Sequence, residues 1–125
     1  MILEESLVIT QEEIDAIRSV QYKLNKTAVN AGWYKTPRED GTRIALIHSE
    51  ISEALEYVRK GGNDSHLTNR PGVEVELADA IIRILDFAGN AGLDVGGAIH
   101  EKNEYNKNRA DHKLENRAVA GGKKF

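Results

Sequence analysis

The chain has 125 residues, 40% of them hydrophobic and 30% charged, with a formal net charge of −3 and no cysteine. That length suits one domain with a core of its own. The charge gives no reason to expect a nucleic-acid binder, which usually carries a basic face, and the lack of cysteine excludes disulfides, thiolate metal sites and a cysteine nucleophile. The start, Met1 to Leu7, is acidic where a signal peptide is basic, and no apolar run approaches the ~18 residues of a membrane span. A soluble cytoplasmic protein that engages neither membrane nor nucleic acid is expected.

Thr10 and Glu13 form a T-x-x-E capping box and open a first helix that runs to about Ala31. Ile14, Ile17, Val20, Leu24, Ala28 and Ala31 share one face of it. Thr36-Pro37-Arg38-Glu39 reads as a second capping box with proline at the first helical position. The helix that follows begins there or at Asp40 and ends at Gly61-Gly62. Residues 63–72 form a loop rich in Asn, Asp, Ser, Thr, Pro and Gly. A third helix spans about Val73 to Gly89. Gly89, Gly92 and an Asp94 cap separate it from a fourth, about Val95 to Arg109. Residues 110–125 form a polar tail ending in Gly-Gly-Lys-Lys-Phe. The chain reads as a single all-α domain, 1–125, a four-helix bundle with short connections.

The second helix holds an anomaly. Ile44, Ile47, Ile51, Ala54, Leu55 and Val58 make an apolar arc, and Leu46 and Tyr57 flank its far side. Glu50 falls between these apolar groups and Glu53 at their edge. A buried carboxylate without a partner costs several kcal/mol or takes up a proton, so Glu50 needs a cation or a protonated state. The third helix is apolar nearly all round except for a stripe of Glu76, Asp79, Arg83, Asp86 and Asn90. Glu76 and Asp79, three apart, project from the same side of one turn. Two carboxylates from each helix can converge on one ion, and oxygen ligands without cysteine select Mg²⁺ or Mn²⁺ over zinc. The bland alternative is a solvated acidic stripe neutralised by Arg83 in an ion pair.

On the fourth helix Val95, Ala98, Ile99 and Tyr105 mark an inward arc, and Lys102, Asn106 and Arg109 fall within it. Inward cations opposite four carboxylates suit a metal-bridged polyphosphate. At the end of the first helix Trp33 and Tyr34 can stack on a base, with Gln21 and Asn25 bordering the inner face. Against that, Trp33 reads as a core aromatic at the bundle end and Asn25 as a boundary residue.

These residues together resemble the MazG-like nucleotide pyrophosphohydrolases of the all-α NTP pyrophosphatase superfamily. The matching motifs are Glu50-Ile51-Ser52-Glu53, Glu76-Leu77-Ala78-Asp79 and the run from Lys102 to Arg109, covering roughly residues 44–109. Many members carry a further Glu before each acidic motif, where this chain has Ser49 and Val75. The resemblance implies that Glu50, Glu53, Glu76 and Asp79 bind Mg²⁺, with Glu50 or Glu53 orienting or deprotonating the attacking water. It implies that Lys102, Asn106 and Arg109 hold phosphate or sugar; Tyr105 within the same run, and Trp33 and Asn25 at the base, complete the candidate substrate contacts. The implied reaction converts a nucleoside triphosphate to monophosphate and pyrophosphate, in a homodimer or homotetramer. Relatives acting on deoxyuridine or deoxycytidine triphosphate, or on phosphoribosyl-ATP, fit the same residues. A second class of reading is a non-catalytic helical module that dimerises through its apolar third helix and binds a protein partner. No Glu-x-x-His pair, His-Glu-x-x-His motif, Walker A loop or G-x-G-x-x-G is present, so di-iron, zincin and dinucleotide chemistries drop out.

Overall fold

The structure, a computed structural model, describes residues 7–109 together with Glu115 and Gly121. The expected C-terminal tail otherwise lies outside the described residues. Those residues form four α-helices and no strand: α1 (Gln11–Asn30), α2 (Asp40–Lys60), α3 (Gly72–Ala91) and α4 (Val95–Asn108). No helix among them is long and apolar enough to cross a membrane. Their contacts group into two compact units, one holding residues 19–93 and the other the described residues up to Arg18 and from Asp94 onward.

Helix α1 starts at the expected capping box. The Thr10 N–H donates to Glu13 Oε1 at 3.0 Å, and the Glu13 N–H donates to Thr10 Oγ1 at 3.2 Å. These bonds to the charged form hold the Glu13 carboxyl below its usual range, the backbone donor contributing most.

The second capping box does not form. Helix α2 begins at Asp40, three residues past Pro37, with Glu39 extended at φ −69° and ψ 150° and no side-chain cap bond. Just before this linker the Tyr34 hydroxyl donates to Asp86 Oδ2 on α3 at 2.8 Å, and residues 35–39 are non-helical up to the start at Asp40. At the other end the Gly-Gly stop works as expected. Gly61 takes φ +73°, a left-handed value that favours glycine, and its N–H donates to Tyr57 O at 2.7 Å.

In the larger unit α2 and α3 pack against one another. The face that α2 turns to α3 is not the long apolar arc. Arg43, Ile47, Glu50, Ala54 and Tyr57 are buried or half-buried, whereas Ile44, Ile51, Leu55 and Val58 are exposed. On α3 the inward row is Gly72, Glu76, Ala80 and Arg83, continuing to Asp86 and Phe87, with Leu77, Ile81, Ile82 and Ile84 exposed. Small residues permit the close approach. A Cβ at Gly72 would run into the Tyr57 ring, and one at Gly89 would lie 2.8 Å from Asn25 Cβ on α1. Gly72→Ala is therefore expected to lower stability by about 1–3 kcal/mol, the usual cost of overpacking, as read by chemical denaturation.

In the smaller unit the first turns of α1 meet the start of α4. Asp94 caps α4 by accepting from the Gly97 N–H at 3.0 Å, and Arg18 grips the same carboxylate through Nε at 3.0 Å and Nη2 at 2.8 Å. That grip holds Asp94 down at about 2. Gly96, whose Cβ would sit 3.0 Å from Ile14 O, sets the rotation of α4. The buried face therefore starts with Gly96 and Gly97 and continues to the half-buried His100. This corrects part of the expected inward arc: Ala98, Ile99, Lys102 and Tyr105 are exposed, while Val95, Asn106 and Arg109 are half-buried. The helix wheel followed the larger side chains, and the close glycine contact decided the face instead.

Candidate metal centre and adjoining cleft

The rotation of α2 aims Glu50 at α3, and Glu50 is the residue whose place in the apolar pattern demanded a partner. One carboxylate oxygen each from Glu50, Glu76 and Asp79 lies within 4.8 Å of the others. Glu76 is 8% exposed, and its Oε2 is buried without a hydrogen-bond donor among the described residues. The groups around it, Glu50, Glu53 and Asp79, are themselves acceptors when ionised. Burial, then hydrogen bonds shared with Glu53 and Glu50, then the charges of Glu53 and Asp79 push the Glu76 carboxyl up to about 7. Asp79 is raised as well, by burial first and the Glu50 charge second, with Arg83 opposing.

Among the described residues, Arg83 supplies the counter-charge within this cluster. Its Nε donates to Glu50 Oε1 at 2.8 Å, with the two side chains 28% and 12% exposed respectively. Arg83 does act as an ion-pair partner, across to α2 rather than along its own stripe.

The donor set suits a hard divalent cation. Three carboxylates converge, a buried oxygen lacks a donor, and there is no sulfur or imidazole in the cluster. Glu53 lies outside the three-residue cluster. Three positions along the helix turn it about 60° from Glu50, and it is exposed at the rim, beside Glu76 in a second cleft that also includes Tyr57 and Lys60.

A cleft of about 450 Å³ adjoins the cluster, with Glu50, Asp79 and Arg83 on one side and Leu24, Ala28 and Trp33 on another. Trp33 is half exposed here rather than a core aromatic, with the Arg83 guanidinium 5.6 Å from its ring centre. Asn25 is buried, and its amide donates to Asp86 Oδ1 at 3.0 Å. It therefore reaches the cleft only through Asp86, which lines it. Asp86 is thus held by two neutral donors, Asn25 and Tyr34. Burial, and then this bond to Asp86, push the Tyr34 hydroxyl up to about 12. The sequence pattern singled out neither the Asp86 network nor Arg43, whose guanidinium stacks 4.2 Å from the Tyr34 ring. The available signal for Arg43 was its position seven residues before Glu50, on the same helix face.

The expected substrate contacts on α4 lie in the smaller unit and cluster among themselves. Lys102 Nζ is 4.6 Å from the Tyr105 ring centre, and Arg109 Nη1 donates to Asn106 Oδ1 at 3.3 Å. No family model, curated protein or solved structure matches the chain.

Proposed function

We propose that the chain is a Mg²⁺-dependent nucleoside triphosphate pyrophosphohydrolase that works as a homo-oligomer. The observation that carries this reading is the convergence of Glu50, Glu76 and Asp79 on the donorless, buried Glu76 Oε2, beside a cleft with an aromatic wall. The MazG-like motifs that the sequence resembles contain the same three residues.

Held by Glu50, Glu76 and Asp79, a divalent cation would neutralise phosphate charge and lower the pKa of a water. The chain's own groups then have separate tasks. Glu53, outside the three and at the rim, takes the proton of the attacking water as its oxygen bonds to the α-phosphorus. The bond from that phosphorus to the bridging oxygen breaks, and pyrophosphate leaves with the electron pair. Arg83, beside the cluster, compensates developing charge on the phosphates. Trp33 and the apolar wall of Leu24 and Ala28 receive the base. Lys102, Asn106 and Arg109, which the resemblance assigns, and Tyr105 beside them are the further substrate contacts.

The exposed apolar rows of α2 and α3, including Leu55, Val58, Leu77 and Ile81, support self-association. They equally suit a helical interaction module, but such a module has no use for three carboxylates meeting in the packed seam. The test is pyrophosphate release from a panel of nucleoside triphosphates with and without Mg²⁺. Mg²⁺-dependent release is expected, and Glu76→Gln should reduce it by more than ~100-fold, beyond what outer-sphere substitutions cost at metal sites. A folded chain that binds no Mg²⁺ and releases no pyrophosphate would favour the interaction module.

A further inference from the structure

The cleft that holds the acidic cluster continues into a second, small one of about 20 Å³, and Arg83, Asp86 and Trp33 line both. Three arginines from three segments line it: Arg38 from the linker, Arg43 from α2 and Arg83 from α3. Among the described residues, neither Arg38 nor Arg43 has a carboxylate partner. Asp86 is the one carboxylate lining the small cleft; it accepts from the neutral donors Asn25 and Tyr34, and against three arginines its single charge leaves the lining net cationic. The Arg43 guanidinium lies over the Tyr34 ring, 4.2 Å from its centre, and a guanidinium held against an aromatic face still has in-plane donors to offer an anion. So the α2–α3 seam carries an acidic layer at Glu50, Glu76 and Asp79, followed by a cationic layer. Glu50 and Arg43, seven residues apart, are separated by about 10 Å along α2.

We propose that Arg38, Arg43 and Arg83 form a binding site for the far phosphates of a metal-complexed di- or triphosphate whose near end lies on the acidic cluster. Arg83 is the residue shared between the layers. In the metal-free chain its Nε is spent on Glu50. A cation on the cluster takes over the neutralisation of Glu50 and frees the Arg83 fork for a phosphate oxygen. The volume of the small cleft admits one oxygen-sized group, so it seats the end of an elongated anion while the rest lies in the larger cleft. This inference rests on the metal-site reading above and adds to it the residues that hold the phosphates.

The test separates metal from anion by calorimetric titration of the full chain, first with Mn²⁺ alone and then with inorganic pyrophosphate in saturating Mg²⁺. Arg38→Ala/Arg43→Ala should leave Mn²⁺ affinity unchanged and weaken pyrophosphate binding by about 10- to 100-fold, as loss of charge-assisted hydrogen bonds does. Arg43→Lys should restore part of the loss. Arg83→Gln should weaken pyrophosphate binding while tightening Mn²⁺ binding severalfold, because a competing internal cation has gone. A purely structural role would move both affinities the same way. Circular dichroism confirms folding, and Arg38→Ala alone, on the exposed linker, carries the test if the Arg43 variants unfold. Unchanged pyrophosphate affinity in the folded arginine variants, or no pyrophosphate binding by the parent chain, overturns the proposal. Failure of the enzymatic reading shows separately, as pyrophosphate binding without triphosphate hydrolysis.

Discussion

Glu76→Gln is expected to stabilise the metal-free chain at pH 8 while abolishing its thermal response to Mg²⁺. Glu76 sits at about 7 in the folded chain, against an ordinary value of 4.5. An acid raised in this way favours the folded state while it is protonated. That stability is complete below about pH 4.5, declines as pH rises through 7, and is gone above it. The full shift corresponds to a ceiling of about 3 kcal/mol, and water near the exposed Glu53 reduces it to about 1–2 kcal/mol. Gln keeps the shape, carries no charge at any pH and donates to the surrounding carboxylates. The variant should therefore lose the decline between pH 5 and pH 8 that the parent shows in denaturant titrations. Saturating Mg²⁺ should raise the parent melting temperature most at pH 8, where the cation competes least with protons. A parent chain equally stable at pH 5.5 and pH 8 without metal would show that the cluster is solvated rather than buried.

Helix placement was legible because it depends on local chemistry. The Thr10–Glu13 box, the Gly61-Gly62 stop, the Gly92 left-handed cap at φ +71° and the Asp94 cap all act within a few residues. Of the two starts open to the second helix it takes the later, Asp40, with Glu39 extended and no side-chain cap bond.

Which face a helix buries was less legible. The pattern on α2 correctly set Glu50 apart, but it took the arc of Ile44, Ile51 and Val58 as the packed face. Those residues are exposed in the single chain, and the seam belongs to Glu50, Ala54 and Tyr57. Apolar area favours burial without naming the partner surface, so a helix able to pack on two sides leaves its orientation open. On α4 the deciding residue was Gly96, which contributes almost nothing to a hydrophobic wheel. The acidic cluster survived these rotations because Glu50 was identified by its incompatibility with every apolar environment, and only α3 offers it Arg83.

Breaking the Glu50–Arg83 pair from its two sides is expected to give unequal results. Arg83→Ala leaves a carboxylate that is 12% exposed facing Glu76 and Asp79 without its counter-ion. Loss of one partner of a buried pair costs 3–5 kcal/mol; with Arg83 itself 28% exposed, about 2–4 kcal/mol is expected in the metal-free chain. Glu50→Gln removes the same ion pair, but it also removes one negative charge from a cluster that repels itself. Its cost should therefore be below about 1 kcal/mol. The double variant should resemble Glu50→Gln, which makes the coupling between the two sites large and negative in a denaturation cycle. Saturating Mn²⁺ should then restore most of the stability of Arg83→Ala and none of that of Glu50→Gln, because a cation on the cluster replaces the guanidinium only while the Glu50 carboxylate is there to hold it. Rescue of this kind requires, by linkage, that Arg83→Ala bind the ion more tightly than the parent chain does. Equal losses from the two single variants, unaffected by Mn²⁺, would instead mark the pair as a structural clasp of α2 on α3 with no part in cation binding.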